Sequence, residues 1–241
     1  MHYYHSVMKL AILADIHANA DALYAVLSAA QKEQVDGLLV AGDLVGYYFE
    51  PKRVLQLLQE WNKPIYIVKG NHEEILLAAI NSNELLAEIS LKYGPGISIA
   101  LSELSGDDLE WIASLQHPLL VDDFNCSILL SHGSPNDINK YIYPDESISG
   151  MLAAMLQLPD VLVMGHAHYP FIKNEQKCVV INPGSVGQPR NREPGAHWAL
   201  LETNTMTAEH RIEPYNIVEL VDQCMRIAPN HLYLRQVLLR T

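Results

Sequence analysis

Short apolar runs alternate with amphipathic stretches down the first third of the chain. Residues 10–14, LAILA, carry no polar side chain and suit a strand buried on both faces. Asn19 or Asp21 can then cap a helix running to about Gln34, with Leu23, Val26, Leu27 and Ala30 on one stripe. Residues 37–41 repeat the apolar run, residues 51–61 read as a second helix with Pro51 in its first turn, and residues 64–69 as a third strand. This β-α-β-α-β order predicts a parallel sheet, which binds ligands beyond the carboxyl ends of its strands.

Residues 74–116 read as mostly helical, with a break at Gly94-Pro95-Gly96 and a capping-box pattern at Ser105-Gly106-Asp107-Asp108. They are expected to cap one edge of the site. Strands return at about 118–131, followed by a helix near 145–157 and a strand over 161–164. Residues 170–213 read as antiparallel strands and hairpins, then comes a helix after Pro214 and an amphipathic tail. Parallel units followed by hairpins suggest two packed sheets with helices outside. No linker, low-complexity run or internal repeat divides residues 1–241, so one domain is expected, with residues 1–7 as a short extension before the first strand. The apolar stripe Ile75, Leu76, Leu85, Leu86, Ile89 and Leu91 is core or interface at helical spacing. Exposure of part of it, or of the tail at 232–239, would support a homodimer.

Composition narrows the class. The chain has 241 residues, 49% of them apolar, enough for one large α/β core. Its three cysteines, Cys126, Cys178 and Cys224, are odd in number and far apart, which argues for buried thiols in a reducing compartment rather than a disulfide framework. The start, MHYYHSVMK, lacks the apolar core of a signal peptide, and no run approaches a membrane span, so a cytoplasmic location is expected. A net charge of −12 argues against general nucleic-acid binding, which draws on clustered Lys and Arg.

The chemistry lies where the strands end. Asp15-Ile-His17, Gly42-Asp43, Gly70-Asn71-His72, Ser131-His132-Gly133 and Gly165-His166-Ala167-His168 each close a predicted strand. Asp-x-His or Gly-Asp alone is weak, whereas Gly-Asn-His and Gly-His-x-His are each expected by chance only about 0.03 times. Together they suit two-metal phosphoester chemistry, in which paired cations share a bridging carboxylate. Asp15 and His17, two apart on an irregular strand end, can point at one ion, and Asp43 has two oxygens with which to bridge. Asn71 supplies an amide oxygen, and His132, His166 and His168 supply nitrogens for zinc, iron, manganese or nickel. With only Asp15 and Asp43 against two divalent cations, the pocket of this acidic protein would be cationic and suited to phosphate.

Residues 8 to about 200 resemble the calcineurin-like metallophosphoesterase superfamily. MKLAILADIHAN looks like its first strand and metal loop, and INPGSVGQPRN, residues 181–191, looks like its small single-domain prokaryotic phosphodiesterases, related to the retromer subunit of the same fold. The resemblance implies an α/β (α+β) fold, a four-layer αββα sandwich of two mixed sheets with two divalent metals (Mn, Fe, Ni or Zn) at its crest. It implies that Asp15, His17, Asp43 and His168 hold the first metal, that Asp43, Asn71, His132 and His166 hold the second, and that His72 is the acid. The implied reaction is attack of a metal-bridging hydroxide on a small phosphoester or nucleotide, without a phosphoenzyme. The resemblance to the retromer subunit leaves a non-catalytic scaffold as the alternative.

Three positions depart from the superfamily pattern. Ala18 stands where glycine is common, Gly46 where Asp or Asn is common, and Glu73 where Asp is common, so the carboxylate that orients His72 lies open between Glu73 and Glu50. Arg190 and Arg192 are candidate contacts to the substrate phosphate or solvated loop charges, and Ser185 is a tight-loop residue or a substrate contact, not a nucleophile, because Gly184-Ser185-Val186-Gly187 lacks the Gly-x-Ser-x-Gly spacing. Tyr47, Tyr48, Tyr141 and Tyr169 are placed near the mouth, where they either stack a base or serve packing alone. His117, His197, His210 and His231 belong to no motif and are read as structural.

Overall fold

The computed structural model describes residues 8–240, so the expected extension and its His2 and His5 lie outside the described residues. β1 (Lys9–Leu13), α1 (Ala20–Lys32), β2 (Gly37–Val40), α2 (Pro51–Gln59) and β3 (Ile65–Ile67) follow the predicted order, and the three strands pair in parallel. Asn19 is the cap of α1, its side-chain oxygen accepting the Ala22 N–H at 3.1 Å. Pro51 opens α2, where its missing N–H costs nothing.

The helical stretch begins earlier than its apolar pattern indicates. α3 (Asn71–Ala79) takes both Asn71 and His72 into its first turn and is followed by α4 (Asn83–Tyr93), α5 (Gly96–Glu103) and α6 (Gly106–Ser114). These helices do not stand off as a separate cap. Leu76, Ile89, Ile97, Ala100 and Ile112 join one buried cluster with Leu23, Val26, Val54 and Leu58 of α1 and α2 and with Leu13, Leu38 and Val40 of the sheet. Of the predicted stripe, Leu76 and Ile89 are buried and Leu91 is exposed.

β4 (Leu119–Val121), β5 (Ile128–Leu130), α7 (Ser149–Ala153), β6 (Val161–Val163), β7 (Phe171–Glu175) and β8 (Cys178–Asn182) complete the second half, before β9 (Ala196–Glu202), β10 (Thr207–Glu213), α8 (Ile217–Ile227) and α9 (Leu232–Gln236). The sheets are five-stranded, ordered β10-β9-β1-β2-β3 and β4-β5-β6-β8-β7. The predicted hairpins exist but divide between the sheets. β7–β8 stays in the second, with β8 also parallel to β6, whereas β9–β10 crosses back to lie antiparallel to β1.

Strand alternation builds the layers. Leu10, Ile12 and Leu39 pack with Ile128, Leu130, Val161, Val163, Val179 and Ile181 between the sheets. Ala11, Leu13, Leu38 and Val40 face the helices on one side, and Leu162, Phe171 and Val180 face Leu152 of α7 on the other. The result is helix, sheet, sheet, helix, with both sets of parallel strands presenting their carboxyl ends to one crest. The three cysteines are buried and free. Among the described residues no helix is long and apolar enough to cross a membrane.

The predicted capping box forms at α6. Asp108 accepts from the Ser105 N–H at 2.7 Å and from Lys52 Nζ at 2.6 Å, tying α6 to α2. The Lys52 hydrogen bond, then the Ser105 hydroxyl, lower the Asp108 carboxyl to about 2. A depressed carboxylate contributes stability above its unfolded pKa and loses it as pH falls through the folded one. Asp108→Ala is therefore expected to cost about 1 kcal/mol at pH 7 in urea unfolding, a gap that narrows between about pH 4 and pH 2.

Candidate metal centre

Five of the seven donors predicted from the motifs sit past a strand end on left-handed backbone, while Asn71 lies in the first turn of α3. Asp15, His17, Asp43, His166 and His168 have φ of 54°, 52°, 57°, 66° and 60°. That left-handed region is uncommon for residues with a Cβ and persists where surroundings over-determine it. Here the surroundings are loop-to-loop hydrogen bonds. The Asp15 N–H donates to Gly42 O at 3.1 Å, His17 N–H to Asp43 O at 2.9 Å, and Ala18 N–H to Leu44 O at 2.8 Å. Ala18 itself takes φ 57°, so alanine keeps the left-handed angle at the position where glycine is common.

INPGSVGQPRN braces this loop pair. The Val186 and Gly187 N–H groups donate to the carbonyls of Ala14 and Asp15 at 3.0 Å each, and Asn182 Nδ2 donates to Gly165 O at 2.9 Å. Ser185, read as a tight-loop residue or a substrate contact, is fully buried. Its hydroxyl donates to Asp15 O and accepts the Gln188 N–H, both at 2.7 Å, which uses the side chain as a staple.

Seven predicted donors converge at the crest. Asp43 Oδ2 lies 3.6 Å from His17 Nε2 and 3.3 Å from His132 Nε2, and Asp15 Oδ1 lies 3.5 Å from His168 Nε2. His132 Nε2 is 2.9 Å from Asn71 Oδ1 and 3.1 Å from His166 Nδ1. The ligand atoms form three overlapping groups: Asp15 with His17 and His168, His17 with Asp43 and His72, and Asp43 with His132 and His166. His117, His197, His210 and His231 belong to none of them.

Backbone carbonyls set the imidazoles' tautomers. His17 Nδ1 donates to Val45 O at 3.1 Å and His168 Nδ1 to Gln188 O at 2.7 Å. Burial holds both rings well below the usual histidine range, hence neutral. Their Nε2 atoms therefore carry lone pairs, yet they approach to 3.2 Å. Two lone pairs aimed at each other, with carboxylate oxygens alongside, form an arrangement that a cation relieves. Imidazole, carboxylate and amide donors suit a borderline or hard divalent ion, so the residues present fit such a group.

Protonation in the bare site follows burial and charge. Burial pushes Asp15 up to about 8, against the pull of His132. For Asp43, burial is outweighed by His132 and His72, which hold it well below the carboxylate range. Burial would lower His132, but Asp43 prevails and raises it to about 9. The His132 proton thus stands in for positive charge, and cation binding would release it.

His72 is supported differently from the sequence expectation. Its backbone N–H donates to Asp43 Oδ1 at 2.8 Å, but its ring Nδ1 has no hydrogen-bond partner. Neither candidate carboxylate orients it. Glu50 sits at the N-terminus of α2, half-buried. Glu73 is fully buried and accepts four backbone N–H groups, from Asp43 at 2.9 Å, Leu44 at 2.8 Å, Val45 at 3.1 Å and Gly70 at 2.7 Å. Gly46 explains the missing partner. With φ 91° it lies so close that a Cβ there would stand 2.1 Å from His72 Nδ1, leaving no room for an Asp or Asn side chain. Rings hold the imidazole instead: His17 and Tyr47 at 4.8 Å and Tyr93 at 5.4 Å between centroids. No motif announces these contacts, because Tyr93 lies on α4.

Arg190 stands at the edge of the cluster, half-buried, while Arg192 is exposed. Arg190 Nη2 donates to Tyr47 Oη at 3.3 Å and Gln188 Oε1 at 3.2 Å, and its buried Nε has no partner. Tyr48, placed at the mouth by sequence, is fully buried and donates to Leu234 O at 3.1 Å.

An αββα sandwich carrying these donors at the carboxyl ends of its parallel strands is the architecture of a metallophosphoesterase. The calcineurin-like phosphoesterase superfamily domain matches residues 8–206, and the chain belongs to that family. It is 27% identical over 238 residues to an uncharacterized protein of Methanocaldococcus jannaschii, covering 90% of this chain and 92% of that one. A metallophosphoesterase structure from Sphaerobacter thermophilus superposes with TM-score 0.78 and 26% identity, covering 97% of this chain and 98% of the other. A hypothetical protein from Pyrococcus horikoshii shares the fold with TM-score 0.84 at 20% identity, with the same coverage of both chains.

Proposed function

We propose that the protein is a phosphoester hydrolase working with two divalent cations. Asp15, His17, Asp43 and His168 hold one, and Asp43, Asn71, His132 and His166 the other. The observation that carries this reading is the pair of neutral imidazoles meeting Nε2 to Nε2 at 3.2 Å beside Asp15 and Asp43. Divalent cations bound there supply Lewis acidity and a water of lowered pKa.

The remaining groups act on the ester itself. Arg190 brings a guanidinium, always charged, with a buried N–H that lacks an acceptor, and takes a non-bridging phosphoryl oxygen. A His72 ring nitrogen lies within 4.8 Å of ligand atoms of His17 and Asp43; burial holds the imidazole below the usual histidine range, so the neutral ring offers an N–H hydrogen bond to the oxygen that leaves phosphorus. The His72 ring is fixed by packing against His17 and Tyr47, and the backbone N–H ties the residue to Asp43, so the donor is placed before substrate arrives.

Bis(p-nitrophenyl) phosphate should be hydrolysed with added manganese or nickel, and chelation should abolish this. Undiminished hydrolysis by the chelated protein would overturn the reading, and metal binding without turnover on a panel of phosphoesters would return it to the scaffold alternative. His72→Asn is expected to keep both metals and lower kcat about a hundredfold. The loss should be larger for poorer leaving groups, and an equal loss across leaving groups would remove His72 from that role.

A further inference from the structure

Beside the metal centre two tyrosines lie in parallel on the surface. Tyr141 and Tyr143 have ring centroids 6.0 Å apart at an interplanar angle of 11°, and they are 41% and 38% exposed. Tyr141 also lies 4.1 Å from the ring of His166, and Tyr143 meets Tyr169 edge-on at 5.7 Å.

Exposed aromatic rings are not unusual one at a time, but paired, parallel rings against a candidate metal ligand need a reason. Their loop is held in place. The Ser134 N–H donates to Asp137 O at 2.8 Å, Lys173 Nζ donates to Glu146 O at 2.5 Å, and Ile142 and Ile148 are buried in the core behind α7. Ile142 therefore anchors the segment between the two rings and leaves both rings outward. Arg190 stands at the edge of the same donor cluster, its Nη2 donating to Tyr47 Oη at 3.3 Å. Among the described residues no carboxylate pairs with it.

We propose that Tyr141 and Tyr143 form a stacking ledge for a flat aromatic group on the phosphoester, a nucleobase above all, while Arg190 holds the phosphate between ledge and metals. This rests on the phosphoester reading and names its substrate class. Rings on the protein accept a flat ring with little selectivity for its edges, because every base has a π-face. The guanidinium takes the anion next to it.

The test is binding rather than turnover. Methylphosphonate, phenylphosphonate and the phosphonate analogue of AMP, none of them hydrolysable, are titrated calorimetrically into the manganese-loaded protein. The AMP analogue should bind at least about tenfold more tightly than methylphosphonate. Tyr143→Ala, which touches no candidate metal ligand, should cut that ratio at least about fivefold, and Tyr143→Phe should restore it. Phenylphosphonate matching the AMP analogue would assign the ledge to any flat ring, and a further gain for the AMP analogue would assign it to the nucleobase. Equal affinities for all three, or a ratio untouched by Tyr143→Ala, would overturn the ledge. If the protein hydrolyses bis(p-nitrophenyl) phosphate and the ratio is one, the ledge fails alone. If it hydrolyses nothing and the ratio stands, the hydrolase reading fails and the ledge remains.

Discussion

Asp43→Ala is expected to lower turnover by on the order of a thousandfold or more and to remove metal from the protein. Asp43 belongs to two of the three overlapping donor groups, one with His17 and His72 and one with His132 and His166. Its Oδ2 lies 3.6 Å from His17 Nε2 on one side and 3.3 Å from His132 Nε2 on the other, and its Oδ1 accepts the His72 N–H at 2.8 Å. On the proposed two-cation reading, one substitution removes a ligand of both ions, and with it the acceptor of the His72 backbone N–H. It also deletes one of only two carboxylates among the seven donors, so the remaining imidazoles face less compensating charge. Asp43→Asn separates these effects. It preserves an oxygen for the His72 N–H but halves the negative charge, and is expected to retain the fold and one metal while still losing most turnover. Metal per chain by plasma mass spectrometry, read with kcat, checks both. An alanine variant that keeps two metals and a tenth of wild-type turnover would show that Asp43 does not join the ions.

The convergence of the candidate donors was legible in sequence because most of them follow closely on a strand that an apolar run announces. LAILA stops at Asp15 and the second run at Gly42-Asp43, since a donor beyond the last paired residue is where a parallel sheet opens. What supports the donors was not legible. The Val45 and Gln188 carbonyls that fix His17 and His168 carry no side-chain signal. Tyr93 reaches His72 through the packing of α4, and Gly46 reads as an absent carboxylate until its backbone is seen against the imidazole. Ser185 lay open for a related reason. A serine in a glycine-rich loop near the site reads equally as a substrate contact or a loop staple, and only its two bonds at 2.7 Å decide. The β9–β10 hairpin was visible as a hairpin, but nothing in its alternation says that β9 pairs with β1 rather than extending the second sheet.

The same distinction between donors and their supports makes Glu73 the residue whose loss should most damage the fold around the site. Its carboxylate takes N–H groups from Asp43, Leu44, Val45 and Gly70, all buried, at 2.7 to 3.1 Å. This one side chain closes the N-terminus of α3 and holds the loop that carries Asp43, where φ is left-handed. Burial, with Asp43 adding to it, pushes Glu73 up to about 7, while the N–H groups of Gly70 and Val45 pull it back. Glu73→Ala leaves four buried N–H groups without an acceptor, each worth about 1–3 kcal/mol, so destabilisation of about 4 kcal/mol or more is expected. Glu73→Gln keeps one oxygen but turns an NH2 toward the other donors, and about 2 kcal/mol is expected. Glu73→Asp, the residue common at this position in the superfamily, is one methylene shorter and should fall between wild type and Gln, because two of the four bonds must lengthen. Urea unfolding of the metal-free proteins gives the order directly. Manganese titration of the Gln variant should show weaker binding even though no candidate ligand has changed. A Gln variant as stable as wild type, with unaltered metal affinity, would mean that the loop holds Asp43 without help from α3.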